Sequence, residues 1–367
     1  MPLFSSQRIV VTGSCGTVGS ELIKHLLCEP QYAPSEVIGL DNNESALFFQ
    51  DQEFLDDSRV RFYQCDIRDQ QDLIRHFDHA DVVFHTAALK HVVLSERSPE
   101  QVIQTNILGV QNVIEASRCG GVKKVLFTSS DKAVNPTNVM GTSKLMGERL
   151  MTAANSHKRD DGTIFASTRF GNVLGSSGSV VPIFHNQIAQ GGPVTLTDRE
   201  MTRFVMSIEE AVKLVLDSST IAKGGEVFIT KMPVVRIEDL ANAMINELAP
   251  RYGYEPKQIE IREIGTKPGE KLYEELMSDE ETRRALELPN YFSVLPAFKG
   301  IYQDIRYDYP KILSQTVDNP YVSKAQPAKS VDEIKTFLLE NQLFIPPNED
   351  HTSRYWPGDK ESVIQNT

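Results

Sequence analysis

The apolar positions of this chain fall into short runs separated by longer amphipathic stretches. Residues 8–12 (RIVVT) form a β-branched run that ends at a glycine, and runs of the same kind recur at 36–41, 59–66, 81–85, 124–129 and 163–169. The central runs are almost continuously apolar, as strands covered on both faces are. Helical patterns lie between them, for example at 99–119 and 138–154. This alternation predicts parallel strands joined by right-handed crossovers, an α/β doubly wound, Rossmann-like sheet.

After about residue 172 the rhythm changes. Residues 171–178 (GNVLGSSG) read as a loop, 207–219 as an amphipathic helix, 226–230 as a strand, 237–248 as a helix and 260–264 as a short strand. The KPGE stretch at 267–270 reads as a turn, and 287–329, rich in Pro, Tyr and Asn, as irregular chain. A last helix is expected over 330–340, with Ser330 and Asp332 as candidate caps. From Pro346 onward the chain is polar and is expected to fray.

Composition narrows the class. A length of 367 residues suggests about two domains. The net charge of −12 argues against nucleic acid or an anionic membrane as a partner. No apolar run approaches the ~18 residues of a helical span, and residues 1–7 lack the pattern of a signal peptide. Cys15, Cys28, Cys65 and Cys119 form no CxxC pair, which fits reduced thiols of a cytoplasmic protein and no metal site.

Chemistry enters at the end of the first strand. Gly13, Gly16 and Gly19, with Thr17 and Val18 between them, open a helix directly after that strand. Glycines suit a sharp turn and a close approach to a pyrophosphate, and the helix start offers free N–H groups. Asp41 closes the second strand about 20 residues later, where a carboxylate suits the ribose 2′-OH and repels a 2′-phosphate. The spacing therefore favours NAD over NADP. Asp66 and Ile67 end the third run; Ala87 and Ala88 follow the fourth, where small side chains leave room for a ligand. His85 reads as a core histidine.

The stretch 128–132 (TSSDK), followed by 140–144 (MGTSK), is the most informative. With the glycine spacing it is similar to the extended short-chain dehydrogenase/reductases. Four segments, SSDKAVNPTNVMGTSK, RFGNVLGSSGSVVP, MTRFVM and KPGEKLYEEL, resemble the nucleotide-sugar 4,6-dehydratases of polysaccharide and protein-glycan biosynthesis, which act on UDP-N-acetylglucosamine. The resemblance runs from about residue 8 to residue 340.

Met140 departs from the tyrosine that most of that superfamily carries as the base at the sugar 4-OH, and a thioether cannot titrate. The resemblance places methionine in the C5-retaining branch. The dehydratase reaction oxidises C4 with NAD, removes the C5 proton, expels the C6 hydroxyl as water and returns hydride to C6. On that chemistry Lys132 is the expected C5 base and Asp131 the acid at C6, with Ser130 standing in at C4. Lys144 is expected at the nicotinamide ribose. The resemblance further implies that Asn172, Ser179, Val180, Thr197, Arg203, Lys267 and Glu270 hold the nucleotide sugar. Lys90 falls in its ALKHVP stretch, with Val93 in place of proline and Thr86 in place of alanine, and Asn106 falls beside the cofactor site. Residues 1–172 then form the NAD-binding domain, with 205–230 returning to it, and 173–345 mainly the substrate region. The crevice is expected to be basic, and the helices at 99–119 and 138–154 to pair two copies or more. A nucleotide-sugar 4-epimerase and a non-catalytic NAD(H)-binding protein are the alternatives.

Overall fold

The computed structural model describes residues 2–158, 162–176, 179–265, 269–298 and 305–344. Strands β1 (Arg8–Thr12), β2 (Glu36–Asp41), β3 (Val60–Gln64), β4 (Val82–His85), β5 (Lys124–Ser130) and β6 (Ile164–Phe170) pair parallel in the order β3-β2-β1-β4-β5-β6. Their apolar runs are buried because helices cover both faces: Ile9, Val10, Val11, Val83, Phe84, Val125 and Leu126 have no exposed surface. The crossovers are α1 (Thr17–Cys28), α2 (Glu44–Glu53), α3 (Gln70–Phe77), then α4 (Val92–Arg97), α5 (Pro99–Val102) and α6 (Gly109–Cys119), and finally α7 (Val139–Ser156). In α1 the stripe Leu22, Ile23, Leu26, Leu27 packs onto the sheet.

The run at 99–119 is not one regular α-helix. Between α5 and α6 the backbone opens into a π-helix over Ile103–Leu108. Helical periodicity alone cannot register one widened turn. The helix expected from 138 begins at Val139, because Asn138 is its N-cap and accepts the Gly141 N–H at 2.8 Å.

The later chain returns to the same sheet. Val227–Thr230 adds a seventh parallel strand beside β6, and Ile208–Ile221 packs against α1. The region 287–329 is not wholly irregular. Tyr291–Val294 pairs antiparallel with Val227–Thr230, Ala285–Glu287 pairs with it in turn, and Tyr321–Val322 pairs with Glu275–Met277. These strands have two to four residues, too short to show a period of two, and Pro289 and Asn290 directly precede Tyr291. The expected loop at 171–178 contains the strand Asn172–Val173, parallel to Thr202–Met206. Ser330 caps Val331–Glu340 in a capping box with Glu333.

A second core joins Val181, Phe184 and Ile188 to Leu240, Met244 and Leu338. Arg169 on β6 ties α7 to the segment 276–281. It is 1% exposed and donates to Glu148 of α7, to Glu281 and to the Leu276 carbonyl. Among the described residues no helix is long and apolar enough to cross a membrane.

Candidate active site

A cleft of ≈ 2270 Å³, counted out to solvent, follows the carboxyl ends of the parallel strands. Its floor is the loop between β1 and α1. Gly13 has φ +72°, and a Cβ there would lie 2.7 Å from the Ala87 Cα; a Cβ on Gly19 would lie 2.1 Å from the Gly13 carbonyl oxygen. Glycine is therefore required at both places. Gly16, Thr17 and Val18, at the start of α1, line the cleft. Asp41 ends β2, where its two oxygens accept the Cys15 and Asn43 N–H groups, each at 3.0 Å. Each oxygen keeps a further lone pair. This cradle, closed to any Cβ and beside a carboxylate, fits a dinucleotide with an unphosphorylated ribose.

Asp66 is gripped by the Arg68 guanidinium (Nε at 3.0 Å from both oxygens), which holds its carboxyl below the usual range despite partial burial. Ile67, Ala87, Ala88 and Lys90 line the same cleft; burial lowers the Lys90 pKa. Asn106 does not face it. Its amide joins the Leu89 backbone to the Ser143 hydroxyl, so it shapes the wall from behind. His85 is a core residue, bonded to the Thr12 hydroxyl at 2.7 Å, and burial pushes its pKa down to about 3.

Met140 and Lys144 lie one turn apart on α7 and both line the cleft. The Lys144 ammonium donates to the Thr128 carbonyl at 3.0 Å and sits 4.7 Å from the Phe127 ring centre. Burial brings its pKa down to about 8, with Glu148 partly opposing.

A second hollow, ≈ 820 Å³ on the same measure, adjoins the cleft, and Lys132 and Asn172 line both. At this junction the chain after β5 gathers charge. The Ser130 hydroxyl donates to Asp131 at 2.6 Å, and the Lys132 ammonium lies 3.1 Å from each Asp131 oxygen. Burial favours neutral Asp131, but Lys132 and Ser130 together outweigh it and hold the carboxyl below its ordinary value. Burial likewise opposes charge on Lys132, yet Asp131 and Glu274 raise its pKa.

Glu274 escaped the sequence reading. It is 4% exposed, and its Oε1 accepts the Asn172 amide at 2.7 Å, lies 3.3 Å from Arg203 Nε and 3.9 Å from Lys132 Nζ. Its Oε2 accepts the Phe204 N–H at 3.0 Å. Burial, then Asp131, pushes its carboxyl up to about 7, with Arg203 and Lys132 pulling back. The KPGEKLYEEL segment contains it, but nothing linear separates buried Glu274 from the more exposed Glu275.

Arg203 and Glu270 line the second hollow, their charges 3.7 Å apart. Arg203 also donates to the Thr202, Lys271 and Leu272 carbonyls, so it braces the 269–275 segment. Ser179 precedes Val180–Ala189 without capping it by its side chain, and neither Ser179, Val180 nor Thr197 lines either hollow. Lys267 lies outside the described residues. The expectation of a basic crevice fails at the second hollow. There Asp131, Glu270, Glu274 and Glu275 stand against Lys132, Arg203 and Lys271, each cation already within reach of a carboxylate.

The fold and paired hollows define a Rossmann-fold enzyme of the short-chain dehydrogenase/reductase type. The chain belongs to the polysaccharide biosynthesis protein family, whose sequence model matches residues 9–296. It is 47% identical over 331 residues to a Methanocaldococcus jannaschii protein described as an uncharacterized membrane protein (90% of this chain, 97% of that one). It is 39% identical over 303 residues to the inverting UDP-N-acetylglucosamine 4,6-dehydratase of Campylobacter jejuni (82% and 86%). A Rickettsia bellii protein named UDP-glucose 4-epimerase is 38% identical over 345 residues (92% and 96%). The solved structure of Pen from Bacillus thuringiensis superposes with a TM-score of 0.84 at 40% identity, covering 93% of this chain and 99% of that one. The chain is thus an enzyme of the nucleotide-sugar dehydratase/epimerase class.

Proposed function

We propose that this protein dehydrates UDP-N-acetylglucosamine to the UDP-4-keto-6-deoxy sugar with NAD. The observation that carries the reading is the Asp131–Lys132 pair at the junction of the two hollows, 3.1 Å apart. A 4-epimerase needs no acid and base at C5 and C6; an elimination needs both. The cradle of Gly13, Gly16, Gly19 and Asp41 would hold NAD, with Lys144 at its far end. NAD, when bound, accepts hydride from C4 and gives it to C6.

The chain's own groups do the proton work. Ser130, through Asp131, takes the 4-OH proton that Met140 cannot. Lys132 removes the C5 proton once C4 is a ketone, and Asp131 passes a proton to the departing C6 hydroxyl. Arg203, Glu270 and Asn172 orient the nucleotide sugar from the second hollow. Two copies pair through α6, α7 and the π-helix, which leave Ile103, Leu108 and Met146 between 44% and 47% exposed; light scattering in solution should return at least a dimer.

The test is incubation with NAD and UDP-N-acetylglucosamine, read by mass spectrometry. Loss of one water supports the reading. The Rickettsia relative's name favours epimerisation as the second reading, and a new isomer of unchanged mass would establish it. Proton NMR of a dehydrated product would separate C5 retention, implied by Met140, from the inversion in the Campylobacter relative's name.

A further inference from the structure

Lys132 poses a proton problem. Its ammonium faces Asp131 at 3.1 Å and Glu274 at 3.9 Å, so the resting lysine is charged and cannot accept a proton from carbon. Some neighbour must first relieve it. Asp131 is already engaged, since in the reaction above it receives the 4-OH proton through Ser130, whose hydroxyl lies 2.6 Å from it. Among the described residues Glu274 is the other carboxylate that reaches this lysine. It comes from a distant part of the chain and is locked by the Asn172 amide, Arg203 and the Phe204 N–H.

We infer that Glu274 is the proton-holding partner of Lys132, a positioning residue that takes the lysine's proton before the C5 step and returns it after water leaves. This rests on the dehydratase reading above. The balance closes. A proton moves from Lys132 Nζ to Glu274 Oε1, leaving a neutral amine and a neutral carboxyl. The amine takes the C5 proton, and the C5–H electron pair becomes the C5–C6 double bond as the C6–O pair departs with the hydroxide. Asp131 gives the proton it took from the 4-OH to that hydroxide, making water, and once hydride has reached C6 Lys132 puts its proton back on C5. Glu274 then returns its proton to Lys132, and all three side chains regain their starting charges.

The gap of 3.9 Å exceeds a hydrogen bond. The proton transfer requires the Lys132 ammonium to swing from Asp131 toward Glu274, as catalytic contacts tighten when substrate binds. The charged groups facing Glu274 are Asp131 and Lys132 from the end of β5 and Arg203 from Thr202–Met206. Within its own segment, Glu270 pairs with Arg203, while Lys271 and Glu275 turn to Val134 and Asn135. From the 323 side Glu274 meets an uncharged group, the Ser323 hydroxyl on its N–H. Burial and Asp131 place its titration near neutral, where a carboxyl can both take and release the proton.

The experiment is the pH dependence of kcat and of the sugar-nucleotide KM for wild type, Glu274→Gln and Glu274→Asp, with NAD affinity and melting temperature measured alongside. Wild-type kcat should fall as pH drops through about 7. Glu274→Gln should lose about 100-fold in kcat, lack that acid limb and keep its KM and NAD affinity. Glu274→Asp should recover part of the rate together with the limb. A Glu274→Gln enzyme with the limb at the wild-type position overturns the inference, as does a loss in KM and melting temperature with the limb unmoved. If Glu274→Gln does not fold, a Glu274→Asp profile lacking the limb overturns it. A wild type that removes no water overturns both the inference and the reading beneath it, whereas these variant outcomes leave the dehydratase reading standing.

Discussion

Asn106 holds both backbone polar groups of Leu89: its Oδ1 accepts the N–H at 2.8 Å and its Nδ2 donates to the carbonyl at 2.9 Å. The same amide reaches the Ser143 hydroxyl at 2.9 Å, so the π-helix over Ile103–Leu108 clamps the loop after β4 to α7. That loop carries Ala87, Ala88 and Lys90 along the cleft. Asn106→Leu should cost about 1–3 kcal/mol of stability and weaken NAD binding, because the Leu89 groups lose their partners. Thermal melts and a cofactor titration check this; unchanged affinity would separate the clamp from the cofactor.

Asp41 predicts cofactor choice. A ribose 2′-phosphate beside it would meet a like charge. Wild type should bind NAD more tightly than NADP, and Asp41→Asn, which keeps one acceptor oxygen, should narrow the preference by about 1–4 kcal/mol. Paired Kd measurements for the two cofactors read it directly.

Gly141 predicts a loss confined to catalysis. A Cβ there would lie 2.2 Å from the Lys132 carbonyl oxygen, backbone that cannot simply rotate aside. Gly141→Ala should shift Lys132 and lower kcat by about 100-fold, while NAD binding at the distant glycine loop persists. A variant with full activity would show that the position of Lys132 is not critical.

The Arg169 cluster sets acid stability. Burial alone would raise the Glu281 pKa, but Arg169 brings it down to about 2, against 4.5 for the free group. A depressed carboxylate stabilises the fold above the unfolded value and loses that contribution as pH falls through the folded one. Melting temperature should therefore decline between pH 4.5 and about 2. Glu281→Gln should flatten this slope and cost about 3–5 kcal/mol at neutral pH, since Arg169 stays buried with one carboxylate.

The parallel, doubly wound sheet of the amino-terminal half was legible because β1, β4 and β5 are buried on both faces and leave continuous apolar runs. The glycine loop and the Asp131–Lys132 pair were legible because they follow those strands directly. Tyr291–Val294 was hidden by its length and by Pro289 and Asn290. The resemblance marked Asn106 beside the cofactor site, but its clamp on Leu89 was not legible, since one π turn leaves no periodic trace. Glu274 was missed for a different reason. Its burial comes from Asn172 and Arg203, 102 and 71 positions earlier in the numbering, and such contacts leave no local pattern.

On the proposed function, the junction of the two hollows carries out elimination across C5 and C6. The most direct test is turnover of UDP-N-acetylglucosamine with NAD in heavy water, followed by mass spectrometry and NMR of the sugar nucleotide. The expected product lacks one water and carries deuterium at C5, because the Lys132 amine exchanges with solvent between removing and restoring that proton. A product of unchanged mass with no deuterium at C5 would contradict it.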